Sequence, residues 1–336
     1  MRINKQNYPI DIVVPWVDGS DPNWNRERKR WNAINENKGD NREIRFRDFD
    51  LMRYWFRGVD KFLPWIHRVY FVTWGHRPDW LNNNCRKLRI IKHEDYIPEE
   101  YLPTFSSHTI ELNLHRIHGL SEHFIYSNDD TFVLRPMSSK KFFDKGLPKL
   151  CGAQTLLQFK KGGIDHMIAN DLEIVNAHFD KKRVVKAKPW KWFWPSYGKY
   201  NLYNLYLYPF DLFTGFRIMH TMNPFLKSIY SEVWKEEADV LRETCSNKFR
   251  TVNDVNQWLI LYWHMAKNKF LPKGYKSSYF LTIGRDDETI KTLITKQSCD
   301  MICLNDDLEK VDFIREKQYL KSCFEKILPE KSCFEI

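Results

Sequence analysis

Short apolar runs and helical periods alternate along the first part of the chain, with dense polar turns between them. Ile10 to Val17 (IDIVVPWV) is an uninterrupted apolar run apart from Asp11, which predicts a buried strand. Asp18-Gly19-Ser20-Asp21-Pro22 follows as a turn. Trp24 to Lys38 is polar and charged and predicts a surface helix. Leu51, Tyr54, Trp55, Val59 and Phe62 recur at helical spacing within Phe49 to Phe62. Val69 to Thr73 and Leu88 to Ile91 predict a second and a third strand. Ser106-Ser107 can cap a helix running from Thr109 to His118, which Gly119 ends. Phe124 to Ser127 is a fourth strand, running into Asn128-Asp129-Asp130.

Such alternation predicts an α/β layer built on a mostly parallel sheet. Ligands of such sheets sit beyond the carboxyl ends of the strands, where the DGSD and NDD turns fall. Farther on, Lys186 to Phe213 is crowded with tryptophan and tyrosine, and Asn223 to Thr244 and Val255 to Lys267 predict helices. Met301 to Asp307 predicts a short strand entering a second acidic turn, and the tail from Leu308 is charged and helical. The chain therefore divides into an α/β core over residues 1–150, a helical, aromatic-rich insertion over 151–290, and a C-terminal strand and helix over 291–336.

Charge narrows the partners. The 336 residues carry 53 Lys and Arg against 43 Asp and Glu, a net +10 that suits anionic ligands. The seven cysteines include no paired zinc-type spacing and read as free thiols in a reducing compartment. The N-terminus lacks a secretory apolar region, and no stretch reaches the ~20 apolar residues a membrane span needs. A cytoplasmic protein is expected, with peripheral contact at the inner face of the cell membrane through the Lys186 to Tyr208 region.

Four sets of residues carry candidate chemistry. Asp129 and Asp130 follow a buried strand and form a hard-oxygen pair suited to Mg²⁺ or Mn²⁺. Glu111, His115 and His118 share one face of the predicted helix. His220 is of the right type for proton transfer near neutral pH. Arg250 and Asp254 are spaced as an i, i+4 pair at a helix start, and the arginine can clamp a phosphate.

These residues fall into four blocks that resemble the Stealth family, which includes bacterial capsular polysaccharide phosphotransferases. The blocks are Ile10 to Trp24, Arg45 to Asp130, His220 to Pro224 with Phe249 to Leu259, and Ile302 to Asp307. Asp50 stands where the family has glutamate, and Trp55 to Gly58 replaces its smaller residues. The resemblance implies a GT-A-like nucleotide-sugar-binding sheet with a helical insertion. It implies Glu111, Asp130, His220 and Arg250 as essential, and a divalent cation held by Asp129, Asp130 and Asp306. Pro15, Trp16, Val17, Asp18 and Gly19 are implied near the nucleotide, with Asp48 and Arg53 of the second block.

The activity so implied is transfer of hexose-1-phosphate from a UDP-sugar donor to a glycan hydroxyl, on an acceptor that can be lipid-linked, with release of UMP. His220 is the preferred base, with Glu111 orienting. The rival is an ordinary metal-dependent glycosyltransferase releasing UDP. A non-catalytic basic module leaves the acidic turns unexplained, so nucleic acid is not an expected partner.

Overall fold

A computed structural model describes residues 8–36, 39–159, 163–218, 220–308 and 312–336. Its central sheet is built by β1 (Ile10–Pro15), β2 (Val69–Thr73), β3 (Leu88–Lys92) and β4 (His123–Tyr126). A fifth strand, Asn223–Leu226, completes the order β3-β2-β1-β4 at the β4 edge. The four numbered strands run parallel, with Ile12 opposite Val69 and Ile10 opposite His123. β1 and β2 are buried almost throughout, as their apolar runs require. The chain steps outward from β1 to β2 to β3 and then returns to the other side of β1 for β4. Strand order therefore reverses between β1 and β4, which opens a crevice at their carboxyl ends.

β5 (Thr131–Val133) leaves the NDD turn for a second sheet, antiparallel to Met301–Asn305, which runs parallel to Ser278–Thr282. The acidic turn thus lies where the two sheets meet. Leu304 donates its backbone N–H to the Asp130 carbonyl at 2.9 Å.

Several predicted elements form for the expected reasons. The helix Pro22–Ile34 starts on Asp21, whose side chain accepts from the N–H groups of Asn23 and Trp24. The helix Met52–Phe62 buries Trp55, Phe56, Val59 and Phe62, and its Trp55 indole donates to Ser127 Oγ at 3.1 Å. All seven cysteines are free.

Elsewhere the structure corrects the reading. Asn223 to Thr244 is not helical throughout: Asn223–Leu226 pairs antiparallel with β4, and helices Lys227–Glu236 and Ala238–Ser246 follow. Pro224 is tolerated there because the strand closes a sheet edge. The helix expected over Thr109 to His118 spans only Ser107–Leu112, and Ser106 makes no capping bond. Asn113 is fully buried; its amide donates to the Thr109 carbonyl, and a 3-10 turn at Leu114–Arg116 follows. Glu111, His115 and His118 therefore share no helical face. His115 stacks on Tyr230, and burial there lowers its pKa to about 3.

One hydrophobic cluster runs from Ile10 to Phe334, and strands from all three stretches of chain enter the two sheets. The tail is locked by Arg57, whose guanidinium grips both Glu335 oxygens at 2.9 and 3.0 Å and donates to the Leu328 carbonyl at 2.7 Å. Burial raises the Glu335 carboxyl, but the Arg57 hydrogen bonds overcome it and hold the pKa below the usual glutamate range. A depressed carboxyl stabilises the fold above its unfolded value and loses that contribution as pH falls through the folded one. Arg57→Ala is expected to lower unfolding free energy by about 3–5 kcal/mol in urea titrations at neutral pH, with a smaller difference in acid. A loss below ~1 kcal/mol would show that the clasp is dispensable.

Candidate active site

A cleft of about 1820 Å³ opens at the carboxyl ends of β1 and β4. Pro15, Trp16 and Val17 line one wall, Asn128, Asp129 and Asp130 its floor, and Arg250 and Trp258 a further wall. Asp18 and Gly19 are close by but do not line it; they set its shape. A Cβ on Gly19 would stand 1.8 Å from the Phe46 carbonyl oxygen, so only glycine lets this turn meet the 43–49 segment. His76 fixes the turn from behind: Nε2 accepts from the Asp18 N–H at 2.8 Å, and Nδ1 donates to Asp21 at 3.1 Å. Arg53 points elsewhere, lying over the Trp80 ring and 3.5 Å from Glu335. Asp50 faces Lys317 and Lys321 on the helix Phe313–Glu325.

Carboxylates crowd the floor. Asp48 accepts from the Trp16 indole at 3.2 Å, and burial raises its pKa against the Asp50 backbone N–H that donates to it at 2.6 Å. Water reaches Asp129 through the open cleft. Even so, desolvation by the surrounding walls, followed by the charges of Asp130 and Asp48, pushes it up to about 8. Among the described residues neither Asp48 nor Asp129 has an ion-pair partner within 4.0 Å. Asp130 lies 4.0 Å from His220 Nε2, and the two form with Cys303 a group of ligand-type atoms within 4.8 Å of one another. Burial, with the charge of Asp130, raises the Cys303 thiol well above its ordinary value. The free carboxylates therefore fit a hard divalent cation in charge and donor type. Asp306 stands apart, gripped at both oxygens by Arg47, whose Nε is 2.7 Å from Oδ2.

His220 projects between Trp258 and Phe280, and its Nε2 lies 2.8 Å from the Asn128 side-chain nitrogen. Glu111 is buried and accepts from Tyr126 Oη at 3.0 Å. Arg250 faces the cleft with no side-chain hydrogen bond or ion pair among the described residues. Burial lowers its pKa, and Glu111 is its foremost stabilising charge. The expected Arg250–Asp254 pair does not form, because residues 250–256 precede the helix Gln257–Ala266. Asp254 is instead fully buried and accepts from His108 Nδ1 (2.9 Å), Asn247, and the backbone and hydroxyl of Thr251. It shapes the loop that presents Arg250.

Conserved region 2 of Stealth proteins matches residues 45–150, and conserved region 1 matches residues 8–36. A capsular polysaccharide phosphotransferase, WcwK of Streptococcus pneumoniae, is 42% identical over 97% of this chain and 98% of its own. The chain belongs to the Stealth family. A receptor polysaccharide phosphotransferase, WefC of Streptococcus oralis, is 34% identical over 97% of this chain and 99% of its own. An exopolysaccharide phosphotransferase of Lactiplantibacillus plantarum is 38% identical over 98% of this chain and 96% of its own. Among solved structures, galactosyltransferase LgtC in complex with donor and acceptor sugar analogues is 10% identical. It covers 93% of this chain and 95% of its own at a TM-score of 0.37. The α/β class rests on the sheets themselves.

The two matched Stealth regions carry Pro15 to Gly19, Asp48, Arg53, Glu111, Asp129 and Asp130; His220, Arg250 and Asp306 lie outside them. Sequence reasoning missed Tyr126, Asn128 as partner of His220, and Asp254 as organiser. It also missed Arg47, although the arginines of RFRDFD were a visible signal.

Proposed function

We propose that this protein, a transferase of polysaccharide synthesis, moves hexose-1-phosphate from a UDP-sugar to a glycan hydroxyl. The observation that carries the reading is Arg250, unpaired among the described residues and facing a cleft floored by carboxylates, in a chain similar over nearly its full length to phosphotransferases of capsular polysaccharide. An arginine without a protein partner is complementary to a phosphoryl group, and cation-receptive carboxylates across the cleft would serve the rest of a diphosphate.

In this reading the acceptor oxygen attacks the sugar-proximal phosphorus. A new P–O bond forms, the bond to the bridging oxygen breaks, and UMP leaves. The anomeric C–O bond stays intact. His220 takes the acceptor's proton at Nδ1. For that, Nε2 must carry hydrogen and donate to the oxygen of the Asn128 amide, an orientation the amide can adopt by a half-turn. Glu111 accepts from Tyr126 and lends Arg250 a stabilising charge. Asp129 and Asp130 would hold Mg²⁺ or Mn²⁺, which when bound neutralises charge on the diphosphate. Asp306 can join them only by giving up Arg47. Pro15, Trp16 and Val17, with Asp48, form the nucleotide-side wall, and the GT-A-like arrangement expected for that wall belongs to this reading.

Membrane contact also belongs to it. Among the described residues no helix is long and apolar enough to cross a membrane. The aromatic segment splits in two: Trp192, Tyr197 and Tyr200 are buried, while Trp190, Trp194, Tyr203, Tyr206 and Tyr208 are exposed. The helix Tyr200–Leu207 buries Asn204 with Tyr200 and Leu207 and leaves Leu202 70% and Leu205 63% exposed. Exposed leucine and aromatic side chains beside Lys186, Lys188 and Lys199 suit an anionic lipid surface.

Three measurements test the reading. With a UDP-hexose donor, Mg²⁺ or Mn²⁺ and a glycan acceptor, chromatography should find UMP in step with product, and phosphorus NMR a phosphodiester. UDP as the primary product would instead favour the ordinary glycosyltransferase. Asp130→Asn should abolish turnover in a folded protein, while His220→Ala and Arg250→Ala should each lower kcat by at least ~100-fold. A variant retaining near-wild-type kcat would remove that residue from the chemistry. Flotation with anionic liposomes should carry the protein, and Leu202→Ser with Leu205→Ser should abolish it; absence of flotation in the wild type would remove the membrane contact.

A further inference from the structure

Beside the cleft lies a second pocket of about 500 Å³ that none of the expected site residues lines. Its walls carry Lys140, Lys141, Lys149, Arg217, Lys273 and Lys276, over a floor that includes Phe142, Leu261 and Met265. The one carboxylate lining it is Asp300, and that is already committed. It accepts from Arg135 at 2.6 Å and from Ser277 Oγ at 2.6 Å, and it pairs with Lys141. Lys140, Lys149, Lys273, Lys276 and Arg217 make no ion pair with a described carboxylate within 4.0 Å.

The local backbone gathers these charges. Residues 149–150 pair in parallel with 271–272, Lys149 opposite Leu271. Alternation along the strands then puts Lys149 and Lys273 on the same side of the pair. Lys273 pays for this crowding: burial first, then the Lys149 and Lys141 charges, push its ammonium down to about 8. Gly274 keeps the segment tight, since a Cβ there would stand 2.8 Å from the Ser196 carbonyl oxygen. A concave surface with several unmatched cations is a receptor for a multiply charged anion.

Position says which substrate would bring that anion. Arg217, Ile218 and Tyr275 to Ser278 line both the pocket and the cleft, so the two are continuous. Thr221 and Asn223 of the pocket follow His220 directly in the chain. The nucleotide-side wall, Pro15 to Val17 and Asp48, takes no part in it. The pocket thus adjoins the cleft on the side of the proposed base, where an acceptor must enter. It also borders the helix Tyr200–Leu207: Ser196, just before that helix, lines the pocket, and the Arg217 guanidinium lies 4.9 Å from the Tyr200 ring centre.

We propose that this pocket is an acceptor subsite that binds a phosphoryl anion, phosphate or diphosphate, carried by the glycan acceptor. The inference rests on the acceptor-transfer reading above. The anion can be a phosphate within the glycan or the diphosphate by which a glycan is carried on a lipid, and the second would lay its hydrocarbon toward Leu202 and Leu205.

Calorimetry on the full chain tests it, with UMP and Mg²⁺ at saturation so that the cleft is filled. Inorganic pyrophosphate should bind, and Lys149→Gln with Lys273→Gln should weaken it about tenfold or more, the scale of charge-assisted hydrogen bonds. UMP affinity should not change, and Lys149→Arg with Lys273→Arg should retain pyrophosphate binding. Farnesyl diphosphate distinguishes the sources. Binding tighter than pyrophosphate that falls with Leu202→Ser and Leu205→Ser supports the lipid-carried form, and equal affinity supports the phosphate within the glycan. No pyrophosphate binding at millimolar concentration, or binding unchanged by the glutamine pair, overturns the subsite. Loss of UMP binding in the wild-type protein would count against the nucleotide reading instead, so the two failures are separable.

Discussion

Parallel pairing of β1 with β4 brings Pro15 to Val17 and the NDD turn to the same edge of the sheet, side by side. Because strand order reverses between these two, no crossover helix covers that edge, and a crevice is left open. The other features of the cleft attach to this one. The 43–49 segment reaches it over Gly19, the closing strand Met301–Asn305 reaches it through the Asp130 carbonyl, and the Asp254 network brings Arg250 to face it. A slip of β4 by one residue would turn its buried face to the other side and remove Asp129 and Asp130 from the floor.

Charge is distributed unevenly around that crevice, and the imbalance has a physical meaning. Burial on the floor disfavours carboxylate charge and raises Asp48 and Asp129, and at Asp129 the charges of Asp130 and Asp48 add to it. Arg250 is desolvated without a paired acid among the described residues. Each arrangement is costly in the empty protein and is relieved by a ligand of opposite sign. Where the fold needs firmness, pairing is complete: Arg57 with Glu335, Arg47 with Asp306, and Asp254 with its several donors. The unmatched groups face the cleft and the adjoining basic pocket; the matched ones hold the chain segments that frame them.

Polarity is mixed on both sides of the helix Tyr200–Leu207. Its buried Asn204 is satisfied by Gly152, Trp192 and Gln154 backbone groups, so hydrogen bonds anchor the helix alongside buried Tyr200 and Leu207. Leu202 and Leu205 face outward, while Leu207 is buried.

The amino-acid sequence by itself determined the α/β class, β1 through β4, and the two acidic turns, because each depends on local pattern: an apolar run, then turn residues. The Stealth blocks were legible for the same reason, as continuous stretches. Tertiary structure decided what depended on distant partners. Asn223–Leu226 is a strand because β4 offers an open edge, and the helix after Ser107 stops because buried Asn113 and the turn behind it pack against Tyr230 and Trp234. Asp254 looks like a helical partner of Arg250 in the sequence, yet His108, far away in the chain, claims it. Gly19 reads as a turn residue, but what requires glycine is the Phe46 carbonyl pressed against it. The lysines of the second pocket are scattered over more than 130 positions, from Lys140 to Lys276. Nothing in their spacing joins them; only strand pairing and chain packing brought them to one concave surface.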